Sequence, residues 1–421
     1  MFSMTVPNAR RMPQWLETAR DIGPFVRRLG QAIAQSTIRH RWIVALVLVY
    51  LGAATLVEWH LKGTVSGAFY LSTSAYLEIM PAMFGVLLFL YPLYIALVIR
   101  PARPFTMLLE RLRSSVFTVE RIATALPLLV MLPIFINCFT VLKSSVPYLN
   151  PFSWDTRFEA LDRWLHGGAA PWQLLQPWLG TPAISHFFNL IYVCWFLVLW
   201  FVLIWQIVAT HDLRLRAQYL GSMMLCWVLI GSLAAVVFSS AGPCYFGRVT
   251  GLANPYAPLM AYLQDANRVT DIWSLKTQER LWSYYADGGI GLGGGVSAMP
   301  SMHVSMAFLL VLLGWRIHWL IGVMASLFCA AIEIGSIHLG WHYAVDGYVS
   351  AALTGLIWWA VGRAIARHAA AQSRCQPAPA ASRNFGYAVG MTDDRHDGMS
   401  GGVRLEPISS SLFAGQDASA V

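Results

Sequence analysis

Long runs of apolar residues constrain the fold of this chain most strongly. A helix of about 20 apolar residues crosses the hydrocarbon core of a bilayer, and runs of that length recur along the sequence. Hydrophobic residues make up 57% of the 421 residues and charged residues 12%, whereas a soluble domain carries about 25% charged residues. An outer-membrane barrel would instead show weakly alternating segments of about 10 residues. The sequence therefore predicts an all-α, polytopic membrane protein.

The apolar runs divide the chain into four regions. We expect about eight transmembrane helices, over residues 42–59, 77–98, 122–142, 185–209, 217–240, 303–316, 318–338 and 342–365. Residues 1–41 form a basic arm, which is either an interfacial helix or partly ordered. Residues 42–119 add two helices to a six-helix core at 120–368, and short interfacial helices are expected within 143–184. The tail, 369–421, is rich in Ala, Pro, Ser and Gly and is predicted to be disordered.

The distribution of basic residues predicts the orientation in the membrane. When the chain is followed through eight spans, 21 of its 29 Lys and Arg residues fall on the side that holds both termini. The positive-inside rule makes that side cytoplasmic. The net charge of +8 thus comes from basic residues at the ends of the spans. We therefore expect no nucleic-acid partner. Ala- and Arg-rich usage favours a bacterial inner membrane with the opposite face in the periplasm, and the oligomeric state stays open.

Two short segments place reactive side chains on that external face. They are Pro300-Ser301-Met302-His303 and His338-Leu339-Gly340-Trp341-His342-Tyr343-Ala344-Val345-Asp346. Span parity alone brings the ends that carry these segments to one membrane surface, together with Arg248 after the fifth span.

These residue types suit the cleavage of a phosphoester. His342 and Asp346 are four residues apart and share a helix face, so the carboxylate can fix the tautomer and leave the other ring nitrogen as a nucleophile. His303 is the candidate general acid. Ser301 and the free N–H groups of its helix start suit phosphate oxygens, and Arg248 is the candidate phosphate clamp.

The two segments resemble the second and third motifs of the type 2 phosphatidic acid phosphatase superfamily, whose members are lipid phosphatases and lipid phosphotransferases. Pro300-Ser301-Met302-His303 is similar to Pro-Ser-Gly-His, and the segment ending in Asp346 is similar to Tyr-Leu-Gly-x-His-Tyr-x-x-Asp. The resemblance covers roughly residues 120–365. It implies that His342 becomes phosphorylated, that Asp346 is its partner, that His303 is the general acid, and that no metal or cofactor is needed.

Two departures from the family pattern concern the cations that hold phosphate. In the first motif Ala241 stands where the family has Lys, and only Arg248 remains; in the third motif Gly335-Ser336 replaces a Ser-Arg pair. The chain therefore looks more like the divergent branch of inositol phosphorylceramide synthases, in which the flanking cations vary. Lys143, Lys276 and Arg280 lie on the external side as candidate replacements, and Lys143 and Arg280 are assigned to substrate binding.

Two other functions fit the same residues. In a membrane metalloenzyme, the ligand-like spacing of His338, His342 and Asp346 would hold a metal. In a lipid transporter, the scaffold would bind or move a lipid and leave its phosphoester intact. For an enzyme, the expected partners are membrane lipids and a phospholipid or isoprenoid phosphate substrate. The acceptor is water in a phosphatase and a lipid or sugar alcohol in a transferase.

Overall fold

Every described residue lies in a helix or in a loop that connects helices. The computed structural model describes residues 14–61, 85, 92, 95, 99–101, 103–111, 118–287 and 294–375. No strand occurs in these residues, which agrees with the predicted all-α class. The described residues up to Ala371 cluster as one unit.

The described helices are numbered here in chain order. They are α1 (Gln14–Arg39), α2 (Arg41–His60), α3 (Pro104–Arg111), α4 (Val119–Leu149), α5 (Asp155–Leu165), α6 (Pro171–Leu179), α7 (Pro182–Val208), α8 (Leu213–Val237, π-helical at Leu229–Ala234), α9 (Phe246–Thr250), α10 (Ala257–Asn267), α11 (Trp273–Ala286), α12 (Met302–Ile317), α13 (Trp319–His338) and α14 (Ala344–Cys375).

Six of these helices contain segments long and apolar enough to cross a membrane. The segments are Arg41–His60, Arg121–Leu149, Pro182–Val208, Leu213–Val237, Trp319–His338 and Ala344–Ala371, and α12 is apolar but shorter. They match seven of the predicted spans to within a few residues, apart from the ends of α4 and α14. The eighth, at 77–98, lies almost wholly outside the described residues, as do most of the tail and the first part of the arm. The predicted count of eight is therefore not confirmed.

Side-chain caps fix the starts of α4, α7, α8 and α12. Thr118, Thr181, Asp212 and Ser301 each accept a hydrogen bond from the backbone N–H three residues ahead. This is the standard N-cap arrangement, which satisfies an N–H group that has no partner within its own helix. The single residue between α12 and α13, His318, similarly accepts from the N–H of Leu320.

Helix α4 is longer than the sequence predicted. The apolar run at 122–142 indicated an end before Lys143-Ser144-Ser145, yet the helix continues to Leu149. The hydroxyl of Ser145 is satisfied by the carbonyl of Val141 at 2.7 Å, so polar residues are accommodated without ending the helix. As a result, Lys143 lies on a helix wall instead of at the start of a loop.

Small polar side chains join α12 to α14. Asp346, Ser350 and Thr354 are fully buried on one face of α14, and the Thr354 hydroxyl lies 2.7 Å from that of Ser305 on α12. Close helix approach through small residues, with hydroxyls bonded across the interface, is typical of membrane bundles. This interface sets the start of α12 beside the start of α14.

Gly347 on α14 allows a close approach of α13. A methyl group at this position would overlap the carboxylate of Glu333. Because the overlapping atoms are the far end of a flexible side chain, we predict that Gly347→Ala turns Glu333 into another rotamer and lowers the free energy of unfolding by about 1 kcal/mol. Thermal unfolding in detergent measures this, and Glu333→Ala in the same chain should restore much of the loss. Equal melting temperatures for Gly347→Ala and the wild type would show that the helices are not this close.

Candidate active site

The loop between α13 and α14 holds His342 against the first turn of α14. The Nδ1 atom of His342 lies 3.3 Å from Oδ2 of Asp346, and the same oxygen accepts a hydrogen bond from the backbone N–H of Tyr343 at 3.0 Å. Asp346 is fully buried and His342 is almost so. The carboxylate is therefore placed to orient the imidazole ring. The predicted contact forms, but the shared helix face is wrong, because α14 begins only at Ala344 and His342 lies in the loop before it.

His303 occupies the first turn of α12 and faces the same point. Its ring centroid lies 6.3 Å from that of His342. The backbone N–H of Ser301 donates to the carbonyl oxygen of Asp346 at 3.3 Å, which ties the start of α12 to α14. The hydroxyl of Ser301 is buried and caps α12. The two imidazoles thus lie together, as span parity predicted.

Two aromatic side chains of α7 enclose the His303 ring. Tyr192 stacks on it with a centroid separation of 4.2 Å and an interplanar angle of 19°. Trp195 lies 4.3 Å away and donates its indole N–H to the backbone carbonyl of His303 at 3.0 Å. These contacts fix the ring plane of the candidate acid. Sequence reasoning missed both residues because aromatic side chains are common in membrane helices.

A cavity of about 450 Å³ opens from the histidine pair into the helix bundle. Its walls extend along α4 from Lys143 to Leu132 and along α7 from Tyr192 to Leu203. Each wall covers about three helical turns, or about 16 Å, which is roughly half the hydrocarbon thickness of a bilayer. Polar groups lie at one end and apolar side chains line the rest. This division suits a ligand with a charged head and a hydrocarbon tail.

Two cations line the polar end of this cavity. Lys143 and Arg280 are both among the lining residues, and Lys143 is close enough to His342 and His303 to interact with them electrostatically. Among the described residues, no carboxylate lies within ion-pair distance of either cation. Lys143 is half-buried and Arg280 is exposed. A partly desolvated cation without an anion is costly, so the surroundings of Lys143 favour an anionic ligand.

The other two candidate cations lie away from the cavity lining. Arg248 pairs with Glu279 at 2.8 Å and lies over the ring of Trp282. Lys276 lies 3.6 Å from a carboxylate oxygen of Asp271. The sequence could not rank the cations because all of them lie on the external side.

The last part of the Gly-rich segment closes over Lys143. Gly294 and Gly295 line the cavity, while residues 288–293 lie outside the described part. A side chain at Gly295, whose φ is +93°, would come within 2.7 Å of the Lys143 backbone. The glycine is therefore needed for this close approach.

Burial determines the protonation state of His342. Loss of water around the ring, together with the nearby charge of Lys143, lowers the pKa of His342 to about 3, although a hydrogen bond to the Ala298 carbonyl opposes the shift. The imidazole is therefore neutral near pH 7. A neutral ring keeps a lone pair on one nitrogen, as a nucleophile requires.

His338 faces away from the histidine pair. Its Nε2 lies 2.8 Å from the hydroxyl of Ser185 on α7, and it is fully buried. No group of three or more His, Cys, Asp or Glu side chains in the described residues is arranged to hold a metal ion. The metal alternative, which relied on His338 beside His342 and Asp346, gains no support from this arrangement.

The apolar helices define an integral membrane protein, and comparison with known families makes the class more specific. A model of the PAP2 superfamily matches residues 156–360. The match supports assigning this region, which contains His303, His342 and Asp346, to that superfamily. No curated protein and no solved structure matches the chain significantly.

The stacked ring of Tyr192 gives a prediction with an internal control. Its hydroxyl is buried and has no hydrogen-bond partner among the described residues. Tyr192→Phe should therefore keep both stability and turnover, because it removes only an unsatisfied polar group. Tyr192→Leu should lower turnover about tenfold, since the ring that orients His303 is lost. Turnover per folded protein compares the two, and equal turnover in both variants would show that stacking is unimportant.

Proposed function

We propose that this protein is an integral membrane lipid phosphatase or phosphotransferase that works through a phosphohistidine intermediate. The observation that carries the proposal is the polar end of the cavity, where a neutral His342 backed by Asp346 lies beside His303 and Lys143. Lys143 has no ion-pair partner among the residues that the structure describes. The superfamily match over residues 156–360 supports the same reaction class.

The shape of the cavity supports a lipid substrate. A phosphate at the polar end would meet Lys143 and Arg280, and a hydrocarbon chain would lie against the apolar walls. Burying each CH₂ group contributes about 0.8 kcal/mol. The hydrocarbon tail of the lipid therefore supplies binding affinity, and the phosphate fixes where the lipid sits in the cavity. A phospholipid or an isoprenoid phosphate meets both requirements.

The reaction proceeds in two displacements. His342 attacks phosphorus with its free lone pair, a phosphorus–nitrogen bond forms, and the phosphorus–oxygen bond to the leaving alcohol breaks. His303 carries the proton that it accepted from the attacking hydroxyl in the previous turnover, and the negative charge of the bound phosphate stabilises this protonated form. It gives the proton to the departing oxygen. Lys143 and Arg280 offset the charge on the phosphate oxygens.

The second displacement restores the enzyme. A water or an acceptor hydroxyl gives its proton to His303 and attacks phosphorus, and the phosphorus–nitrogen bond breaks. Water makes the protein a phosphatase, and a lipid or sugar alcohol makes it a transferase resembling inositol phosphorylceramide synthases. With the positive-inside orientation, this chemistry takes place on the periplasmic side of a bacterial inner membrane.

Covalent trapping tests the intermediate. Purified protein is mixed with a panel of lipids labelled with ³²P at phosphorus and quenched in base, in which phosphohistidine survives. Label should attach to the wild type and be absent from His342→Ala, whose turnover should fall by at least about 10³-fold. Labelled His342→Ala would refute the assignment of the nucleophile. An intact phosphoester in the wild type across the whole panel would favour a transporter.

Replacement of single cations tests the phosphate clamp. Lys143→Met keeps most of the side-chain length and removes the charge, so kcat/KM should fall about 100-fold, as for loss of one charge-stabilising donor in other enzymes. Arg248→Met should cost less than about tenfold, because Arg248 already pairs with Glu279. A larger loss of kcat/KM for Arg248→Met than for Lys143→Met would show that Arg248, and not Lys143, holds the phosphate.

A further inference from the structure

Helix α5 carries two buried carboxylates that the reaction scheme does not use. Asp155 and Asp162 are each only 2% exposed and are seven residues apart, so they lie on the same face two turns from each other. Removing a carboxylate from water costs several kcal/mol unless hydrogen bonds compensate. The donors that compensate here belong to the loops around the histidine pair.

Asp162 holds the first turn of α14. Its two oxygens accept hydrogen bonds from the backbone N–H groups of Ala344 at 2.8 Å and Val345 at 2.9 Å. The N–H groups of a first helical turn have no partner in their own helix, and a negative charge at a helix start is stabilised by the helix dipole. Asp162 thus acts as an N-cap supplied by another helix, two residues after His342.

Asp155 holds the other side of the same turn. One of its oxygens accepts from the Tyr343 hydroxyl at 2.9 Å, from the Ser240 hydroxyl at 3.0 Å and from the N–H of Gly242 at 2.8 Å. The other accepts from the N–H of Ala241 at 3.0 Å. With four donors, this buried carboxylate is fully satisfied.

The loop held by Asp155 is itself packed against the histidine turn. Gly242, whose φ is +100°, approaches the carbonyl oxygen of Trp341 so closely that a Cβ would lie 2.7 Å from it. The Ser240 carbonyl accepts from the N–H of Ala298 at 2.8 Å. One carboxylate therefore links the loop that follows α8 to residues on both sides of His342.

We propose that Asp155 and Asp162 are positioning residues that clamp the Tyr343–Val345 turn, so that His342 and Asp346 keep the geometry needed for attack on phosphorus. This rests on the proposed function. Neither carboxylate lines the cavity, so each acts through the turn and not on the substrate. A displacement of about 1 Å can cost about 100-fold in rate. In metal sites, residues that orient the metal-binding side chains typically contribute about 10–100-fold to activity, and we expect a similar scale here.

The experiment compares amide variants of α5 with a matched control on the same helix. Asp162→Asn keeps one acceptor oxygen but places an NH₂ group against a backbone N–H. It should lower kcat about 10–100-fold and change KM by less than about threefold, because the cavity walls are untouched. Glu159→Gln removes the ion pair with Arg163 and should leave kcat and KM as in the wild type.

A second variant makes a smaller change, which is less prone to cause misfolding. Tyr343→Phe deletes only the hydroxyl that reaches Asp155 and should lower kcat about threefold to tenfold with KM unchanged. Rates are expressed per folded protein. Unchanged kcat in both Tyr343→Phe and Asp162→Asn would overturn the proposal, and so would a rise in KM with no change in kcat.

Hydrogen–deuterium exchange gives a readout that does not require turnover. Asp162→Asn should speed exchange at the amides of residues 344 and 345 and leave α7 as in the wild type; unchanged exchange at these amides would also overturn the clamp. If the wild type turns over no lipid phosphate, the proposed function fails, whereas faster exchange would still show that Asp162 holds this turn.

Discussion

A half-buried lysine, with no carboxylate within ion-pair distance in the described part of the chain, is the feature on which the account of this site depends. Lys143 lies on the wall of α4 at the polar end of an otherwise apolar cavity, next to two imidazoles. A cation in such a place is stabilised by a bound anion or by water that reaches it. In the proposed function, a phosphate is this anion and brings the reacting phosphorus beside His342.

The same arrangement explains how the chain manages without two cations of the motifs it resembles. The loop that lacks the first-motif Lys contains Ala241, and its N–H groups bind Asp155. In the proposed reaction, charge for the phosphate comes instead from α4 and α11, through Lys143 and Arg280. The loops around the histidines therefore provide geometry, while the neighbouring helices provide charge.

Much of the site could be predicted from the sequence. Two histidines and an aspartate at span ends of matching parity had to share a membrane surface, and the structure brings His303 to within 6.3 Å of His342. The spacing of His342 and Asp346 likewise predicted their contact. The prediction from span parity succeeded because parity is a property of the sequence itself. The contact of His342 with Asp346 forms across the loop before α14 and not along a shared helix face.

Other parts needed three-dimensional information. The candidate cations can be ranked only when it is known which of them already have a carboxylate partner. Arg248 pairs with Glu279 and Lys276 with Asp271, and the sequence does not show these pairs. Asp155 and Asp162 read as the polar face of an interfacial helix, since nothing local indicates that they accept hydrogen bonds from loops about 85 and 180 residues away. In the sequence, Tyr192 is one of many aromatic residues in predicted membrane helices. Nothing local indicates that its ring stacks on His303.

The most direct test of the account is an experimental structure of the protein with orthovanadate, which mimics the phosphorus centre during transfer. The account predicts vanadium within bonding distance of a His342 ring nitrogen, with Lys143 and Arg280 contacting its oxygens and His303 on the side of the leaving group. Vanadate bound at Arg248, or at any position that His342 cannot reach, would contradict it.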